Sequence, residues 1–542
     1  MREKIEELID SLKATLQSFG LANTGNEYTI ITQLFLYKYL NDKFTVEIKK
    51  EYPDFDCKNW EEKYKNMSNT DRENLLYLVG ENTPIFQPDH LLTVLFNKQN
   101  QPDYGKILDN TLISLAKENE EIFATKTTEG TIIPIFSGVA KYITDENQRS
   151  DFAKAVVNKL VLYSFEEVFR RGLKYDFFSK IFEYLVKDYN INGGGAYAEY
   201  YTPHFIAAIM AKLLVGNTDK NDLNSSVCYD PSAGTGTLLM ALAHEIGEER
   251  ATIYSQDVSQ KSTELLKLNL IINSFVSSLP NIVQGNTLTN PYHKNPEETE
   301  LKKFDFIVSN PPFKMDFSDD RDSLANQTSR FWAGVPSIPA KKKESMAIYT
   351  LFIQHLLNSL NEKGKGAIVV PSGFITAKSG VERKILEKIV DEKWVYGVVS
   401  MPSNVFATTG TNVSVLFFDK NHTEDSVILI DASKMGEDYQ EGNNKKKRLT
   451  EEEIEKITDT FLNKKSVDDF SVCVTYDEIK EKNYSLSAGP YFDIKIEYVE
   501  ITEEEFNDKM TDFQNELSAM FAESETMSKN ILEQLGKVKL DK

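Results

Sequence analysis

The stretch FDFIVSNPPF, residues 304 to 313, decides how the rest of the chain is read. Phe304 to Val308 form a short apolar run with Asp305 as its only charge, which is the pattern of a central strand. Asn310-Pro311-Pro312 must end that strand, because proline lacks the N–H that a ladder needs. A buried strand that runs straight into an amide, two prolines and an aromatic ring delivers chemistry to its carboxyl end, where open α/β sheets hold their ligands.

The same texture recurs on both sides. From Val227 onward the β-branched runs VCYD, ATIYSQD, NIVQ, FDFIVS, GAIVVP, WVYGVVSMP, VSVLFF and VILID alternate with helical stretches such as KSTELLKLNLIINSF and AIYTLFIQHLLNSL. This alternation predicts an α/β fold built on a mainly parallel, doubly wound, Rossmann-like sheet. Residues 1–165 show helical periodicity and few glycines, predicting an all-helical N-terminal domain. The sheet occupies 166–440, and 441–542 read as a short linker, EGNNKKKR, followed by a helical tail. In that tail Phe506, Met510, Phe513, Leu517, Met520, Ser524, Met527 and Ile531 recur at alternating steps of four and three, a heptad seam. Thr502 with Glu505 forms a capping box at its start and Gly536 offers a stop. The seam suits either packing on its own domain or a coiled-coil-like partner.

Composition bounds the class. The 542 residues suffice for several domains with a sizeable core, and 41% hydrophobic content excludes global disorder. No apolar run reaches the ~18 residues needed to span a bilayer. MREKIEELIDSL, with Ile5, Leu8, Ile9 and Leu12 at helical spacing, is an amphipathic helix and not a signal peptide, so a cytoplasmic location is expected and no membrane role. Cys57, Cys228 and Cys473 form no CxxC pair, which fits a reducing compartment and provides no metal site. A net charge of −21 looks unsuited to binding nucleic acid, but the excess is local: from Glu451 to the end there are 23 acidic and 11 basic residues, against 60 and 51 before it. Of the basic clusters, Arg170-Arg171 with Lys174, Lys341 to Lys343, and Lys445 to Arg448, only the second follows the SNPPF stretch closely enough to be expected near DNA.

DPSAGTGTLL, Asp230 to Leu239, stands at the end of the first strand of the sheet. Gly234 and Gly236 allow a tight turn and close ligand approach, while Leu239 stands where a dinucleotide fingerprint needs Gly or Ala. Asp257 ends the next strand about 20 residues on, where an acid commonly accepts ribose hydroxyls; a strand-ending turn aspartate is the plainer alternative.

With these residues the chain resembles the adenine-N6 DNA methyltransferases, and within them the modification (M) subunits of type I restriction-modification systems. AEYYTP at 198–203, DPSAGTGTLL, IYSQDVSQKSTELLKLNLI at 253–271, QGNTL at 284–288, SNPPF, and MPSNVFATTGTNVSVLFFDK at 401–420 match the family's blocks in order, as does DFFSKIFEYLV at 176–186. The resemblance implies transfer of a methyl group from S-adenosyl-L-methionine to the N6 amino group of adenine in a specific sequence of double-stranded DNA. The Asn310 side-chain oxygen and the Pro311 carbonyl would accept the two amino hydrogens, Pro312 would stiffen the loop, and Phe313 would stack on an extruded adenine. It also implies a cofactor shell of Glu199, Tyr200, Tyr201, Thr202, Pro203, His204, Asp230, Ser232, Gly234, Thr235, Gly236 and Asp257. Asn286 of QGNTL stands where the family usually has an aspartate contacting the cofactor adenine; its oxygen is still an acceptor.

The sequence also excludes functions. About 90 acidic, helix-patterned tail residues are too few to read a long DNA site, and there is no Walker-type GxxxxGKS/T and no nuclease constellation. The resemblance implies two copies of this chain with one specificity (S) subunit, with or without restriction (R) subunits. A stand-alone or orphan methyltransferase is the alternative enzyme, and a catalytically inactive DNA-clamp subunit the non-enzyme alternative.

Overall fold

The computed structural model describes residues 2–21, 25–57, 59–79, 83–120, 124–171, 181–182, 184, 202–219, 221–405, 412–441, 444–492 and 502–537. The chain divides into two compact units, Met1–Phe492 and Asp493–Lys542.

The strands in chain order are β1 (Thr125–Thr127), β2 (Ile132–Ile133), β3 (Ser226–Asp230), β4 (Ala251–Asp257), β5 (Ile282–Gln284), β6 (Phe304–Ser309), β7 (Leu360–Pro371), β8 (Val395–Ser400), β9 (Val413–Asp419), β10 (Val427–Asp431), β11 (Glu437–Glu441), β12 (Asn444–Arg448) and β13 (Ser471–Val474). Among the described residues, eleven of them make one sheet in the order β13-β10-β8-β9-β7-β6-β3-β4-β5-β1-β2. The run from β7 through β6, β3 and β4 to β5 is parallel, with β9 inserted antiparallel between β7 and β8. Both faces are covered, as parallel sheets require: Phe306 and Val308 of β6 join one apolar cluster and Phe304 and Ile307 the other. The one charge of β6 lies at its amino end, where Asp305 accepts from the Val227 N–H at 2.9 Å and from the Asn361 amide, so the carboxylate pins β3 to the amino end of β7.

The N-terminal region is mostly helical, with long helices at Arg2–Ser18, Gly25–Glu51, Tyr104–Glu118 and Glu146–Leu160. It departs from the all-helical expectation at β1 and β2, a hairpin that joins the main sheet beside β5. Strands of three and two residues are too short to carry a period. Two bonds further tie the region to the sheet's helix Gln260–Ile272: the Tyr39 hydroxyl donates to the Ile272 carbonyl at 3.1 Å, and Lys267 Nζ to the Ile133 carbonyl at 3.2 Å.

A second difference concerns 441–492, expected as linker and tail. The basic run is strand β12, paired antiparallel with the acidic β11, with Glu437 opposite Arg448 and Asp438 opposite Lys447. The helix Glu451–Leu462 packs Phe461 onto the sheet, its ring centroid 4.8 Å from that of Phe417, and β13 pairs with β10. What holds this segment to the core is its few aromatic and β-branched residues, outweighed in the composition by Lys and Glu. The helical tail is the second unit: Glu503–Lys537 is one helix running through Gly536, and Thr502 and Glu505 form the expected capping box. Its seam residues Phe506, Met510, Phe513, Leu517, Met520, Met527 and Ile531 are exposed in the single chain, and so are Phe521, Leu532 and Leu535 beside them. Among the described residues no helix is long and apolar enough to cross a membrane.

Candidate active site at the switch point of the sheet

The chain leaves β3 toward β4 and β5, then returns on the other side of β3 as β6 and β7. A crevice therefore opens above the carboxyl ends of β3 and β6, and three of the sequence-predicted groups stand there: Asp230, Asp257 at the end of β4, and Asn310 just after β6.

The glycine loop is shaped by its own backbone. Gly234 has φ +52° and Gly236 φ +80°, conformations that L side chains seldom adopt. A Cβ on Gly236 would also fall 2.0 Å from Leu266 Cδ1, so the loop packs flush on the next helix. The helix Thr237–Ile246 begins at once and turns its unpaired first N–H groups toward the crevice. Asp257 holds the loop: Oδ2 accepts from Gly234 N and Oδ1 from Ser259 N, each at 2.8 Å. Thus it is both the turn aspartate and an acid facing the glycines. Asp230 Oδ1 accepts from Ser232 N at 2.9 Å and from its hydroxyl at 3.4 Å. Burial holds the Asp230 carboxyl well above the usual range, against the lowering effect of Ser232 and with a further push from Asp257. Burial raises Asp257 as well, partly offset by the N–H groups of Ser259 and Gly234. Neither carboxylate has an ion pair among the described residues.

Asn310 is 8% exposed and Thr202 4%, and the Asn310 amide nitrogen donates to Thr202 Oγ1 at 3.0 Å. Among the described residues no donor reaches Asn310 Oδ1, and none reaches the carbonyl of the buried Pro311. The hydroxyls of Ser309 and Ser232 lie 2.7 Å apart and join the NPPF loop to the glycine loop. Thr202, Asp230, Ser232, Thr235 and Asn310 line one small cavity with Leu238. Phe313 is half-buried beside Pro312, its ring edge-on to Tyr349 at 6.3 Å. Pro203 and His204 open the helix His204–Val215, while Glu199, Tyr200 and Tyr201 lie outside the described residues.

Asn286, on the loop after β5, is exposed, and its amide oxygen is already engaged: it accepts from Leu288 N at 2.9 Å and Thr289 N at 3.3 Å. Backbone N–H groups only donate, so they fix the amide with its nitrogen outward. The acceptor expected from the sequence is thus spent on the turn. Next to it Thr287 Oγ1 donates to the Pro231 carbonyl at 2.6 Å, and Arg330 Nη2 donates to the carbonyls of Thr287 at 3.3 Å and Leu288 at 2.5 Å. Burial lowers the Arg330 guanidinium to about 10, still charged at neutral pH. Ser309 and Thr287 were missed although they sit inside the quoted SNPPF and QGNTL stretches. Arg330 had no signal, lying more than 40 positions from the carbonyls it holds.

Of the basic clusters, Arg170 faces Asp56 and Glu166 and Arg171 faces Glu167, whereas Lys341, Lys342 and Lys343 are exposed with no ion pair among the described residues.

Residues 173–499 match the sequence profile of the family described as N-6 DNA Methylase. The chain is 26% identical over 537 residues to the type I restriction enzyme MpnII methylase subunit of Mycoplasma pneumoniae, covering 95% of this chain and 94% of that one. It is 27% identical over 454 residues to the type I restriction enzyme MjaIX methylase subunit of Methanocaldococcus jannaschii, covering 80% and 74%. Among solved structures it superposes on a type I restriction-modification system methyltransferase subunit from Streptococcus thermophilus with a TM-score of 0.72 and 21% identity, over 91% of this chain and all of that one.

Proposed function

The chain belongs to the N-6 DNA methylase family, and from that premise we propose that it methylates the N6 amino group of adenine in DNA as the catalytic modification subunit of a type I restriction-modification complex. The observation that carries this reading is the convergence of Asn310, Thr202 and the glycine loop on one cavity at the switch point.

The chemistry follows from which atoms are left over. Adenine's exocyclic nitrogen is a poor nucleophile because its lone pair is delocalised into the ring. Asn310 Oδ1 and the Pro311 carbonyl are two acceptors without donors among the described residues, and by taking the two amino hydrogens they localise that pair on nitrogen. Neither acts as a base: the neutral nitrogen's lone pair would form the new N–C bond as the methyl–sulfur bond breaks and its electron pair goes to the sulfonium sulfur, leaving a neutral thioether, and the resulting N-methyl cation would shed its proton to water. Orientation and preorganised hydrogen bonds therefore account for the rate. Phe313, already braced by Tyr349, offers a face to the extruded base.

The donor set fits S-adenosylmethionine. Two buried carboxylates without a counter-cation among the described residues suit a ligand bearing positive charge and ribose hydroxyls, and repel a pyrophosphate. That cofactor supplies an electrophilic methyl carbon on a sulfonium. Asp257 would accept the ribose hydroxyls, Asp230, Ser232 and Thr235 line the neighbouring wall, and the resemblance would give Glu199, Tyr200, Tyr201 and Thr202 the methionine end.

A pH dependence follows with a definite sign. Because both carboxyl pKa values are raised, their protonated forms persist to higher pH than in the unfolded chain, and their contribution to stability is present at low pH and lost as pH rises through the raised values. A cationic cofactor needs the ionised forms, so its affinity should rise with pH across the same window. Calorimetry from mildly acidic to mildly alkaline buffer should show this. Asp257→Asn should flatten the trend and weaken binding by about 1.5–3 kcal/mol.

Asn286 leads to a separate expectation. With its oxygen held by Leu288 and Thr289, only the amide nitrogen faces outward, and it can donate to a ring nitrogen of the cofactor adenine but cannot accept from its amino group. Asn286→Asp keeps the turn and restores an outward acceptor. Cofactor affinity should then increase by about 1 kcal/mol, or several-fold; a weaker or unchanged affinity would place the adenine elsewhere.

The tail seam supplies the contact to a specificity subunit, two copies of this chain embracing one such subunit, and Lys341 to Lys343 contribute to the DNA-facing surface. The decisive experiment is modification-sensitive sequencing of DNA from cells that express this chain with and without its neighbouring genes. The expected result is a single N6-methyladenine motif that requires both; no methylated adenine with all genes present would overturn the assignment.

A further inference from the structure

We propose that Thr202 is a positioning residue that sets the orientation of the Asn310 amide and thereby makes the site selective for a hydrogen-bond donor at position 6 of the target purine. This inference rests on the methyltransferase reading above and deepens it.

An asparagine side chain ends in two groups of similar shape and opposite hydrogen-bonding sense, an oxygen that accepts and a nitrogen that donates. Only one of the two orientations serves the reaction. If the nitrogen faced the target amino group, donor would meet donor and the lone pair would not be localised. Something must therefore hold the amide, and a hydroxyl is in place to do so. Asn310 Nδ2 donates to Thr202 Oγ1 at 3.0 Å, across 108 positions of sequence. Both residues are over nine-tenths buried, and both line the same cavity. Among the described residues Asn310 makes no other side-chain hydrogen bond, and Thr202 is the one that engages its amide.

A hydroxyl can donate as well as accept; here Thr202 Oγ1 accepts from the Asn310 nitrogen, and its own proton stays available to the polar groups that line the same cavity, Asp230, Ser232 and Thr235. The flipped arrangement would turn the Asn310 nitrogen toward the target. Placement reinforces the assignment. Thr202 is followed by Pro203, which caps the helix His204–Val215, so its backbone is tied to a rigid element that adjoins both the cofactor loop and the target loop.

The test uses the complete complex with its specificity subunit, after the wild type has shown which adenine it methylates. If the wild type methylates nothing, the functional reading fails and Thr202 is not yet at issue. Thr202→Val keeps the shape of the side chain and removes the acceptor; Thr202→Ser keeps the acceptor. Thr202→Val should lower the single-turnover methylation rate by about tenfold with little change in the KM for DNA, and Thr202→Ser should recover most of that rate. The discriminating readout is binding to duplexes carrying hypoxanthine in place of the target adenine, since its position 6 bears an acceptor. The wild-type complex should prefer adenine, and Thr202→Val, whose Asn310 is released to present its nitrogen, should lose most of that preference, while Thr202→Ser keeps it. A normal rate in Thr202→Val overturns the proposal. So does a reduced rate with an unchanged adenine-to-hypoxanthine preference, which would assign Thr202 to cofactor contact or folding instead.

Discussion

Replacing Asn310 by alanine is expected to abolish methyl transfer while leaving S-adenosylmethionine binding largely intact. In the proposed mechanism the side chain contributes the acceptor that prepares the amino group, and losing one preorganised hydrogen-bonding group of this kind costs about 10²–10³-fold in rate. Asp257 and the glycine loop are held by backbone bonds at Gly234 and Ser259 that do not involve Asn310. The one bond that would be lost is to Thr202, at the edge of the cavity. Single-turnover assays with labelled cofactor, alongside calorimetry, check both halves. Near-normal turnover would remove the proposed mechanism, and simultaneous loss of cofactor binding would mean that the NPPF loop also builds the cofactor pocket.

Deleting residues 502–542 is expected to leave a folded, cofactor-binding protein that neither assembles with its specificity subunit nor methylates DNA. Met1–Phe492 is a compact unit and holds both apolar clusters. The tail helix carries ten large apolar side chains that the single chain leaves exposed. A stripe of that length is unusual on a monomer's surface and marks an interaction site. Phe521, Leu532 and Leu535 widen it beyond a two-stranded seam. Co-purification of the truncated chain with the specificity subunit, together with a methylation assay, decides the matter. If an active complex still formed, the interface would have to lie elsewhere, with the N-terminal helical region the next to test.

Much of the catalytic framework was readable because buried parallel strands announce themselves as continuous β-branched runs. Each of the eight runs from VCYD to VILID is a strand of the sheet, and the turn chemistry of glycine and proline marked where β3 and β6 end. The tail helix was equally readable from its period and its capping box. The strands that went unread were short or polar: β1 and β2 in the helical N-terminal region, the charged hairpin β11–β12 taken for a linker, and β13. A strand of two to five residues completes no recognisable period, and its membership of a sheet is decided by which edge lies open beside it.

By itself, the sequence determined the periods, the breaks and the residue types, and hence the order of strands and helices and the identity of the groups at their ends. These are local properties, set by covalent geometry and by the alternation of apolar and polar side chains over a few residues. Only the tertiary structure decided what those groups are free to do. Asn286 looked like an acceptor until the N–H groups of Leu288 and Thr289 were found on its oxygen. Asp257 is shared between a turn and the glycine loop, and the Asn310 amide is held by a hydroxyl 108 positions away. Arg330 steadies the loop after β5 from a segment that no pattern connects with it. A hydrogen bond consumes a particular lone pair or proton, and which one it consumes depends on contacts between segments that the chain brings together only by folding.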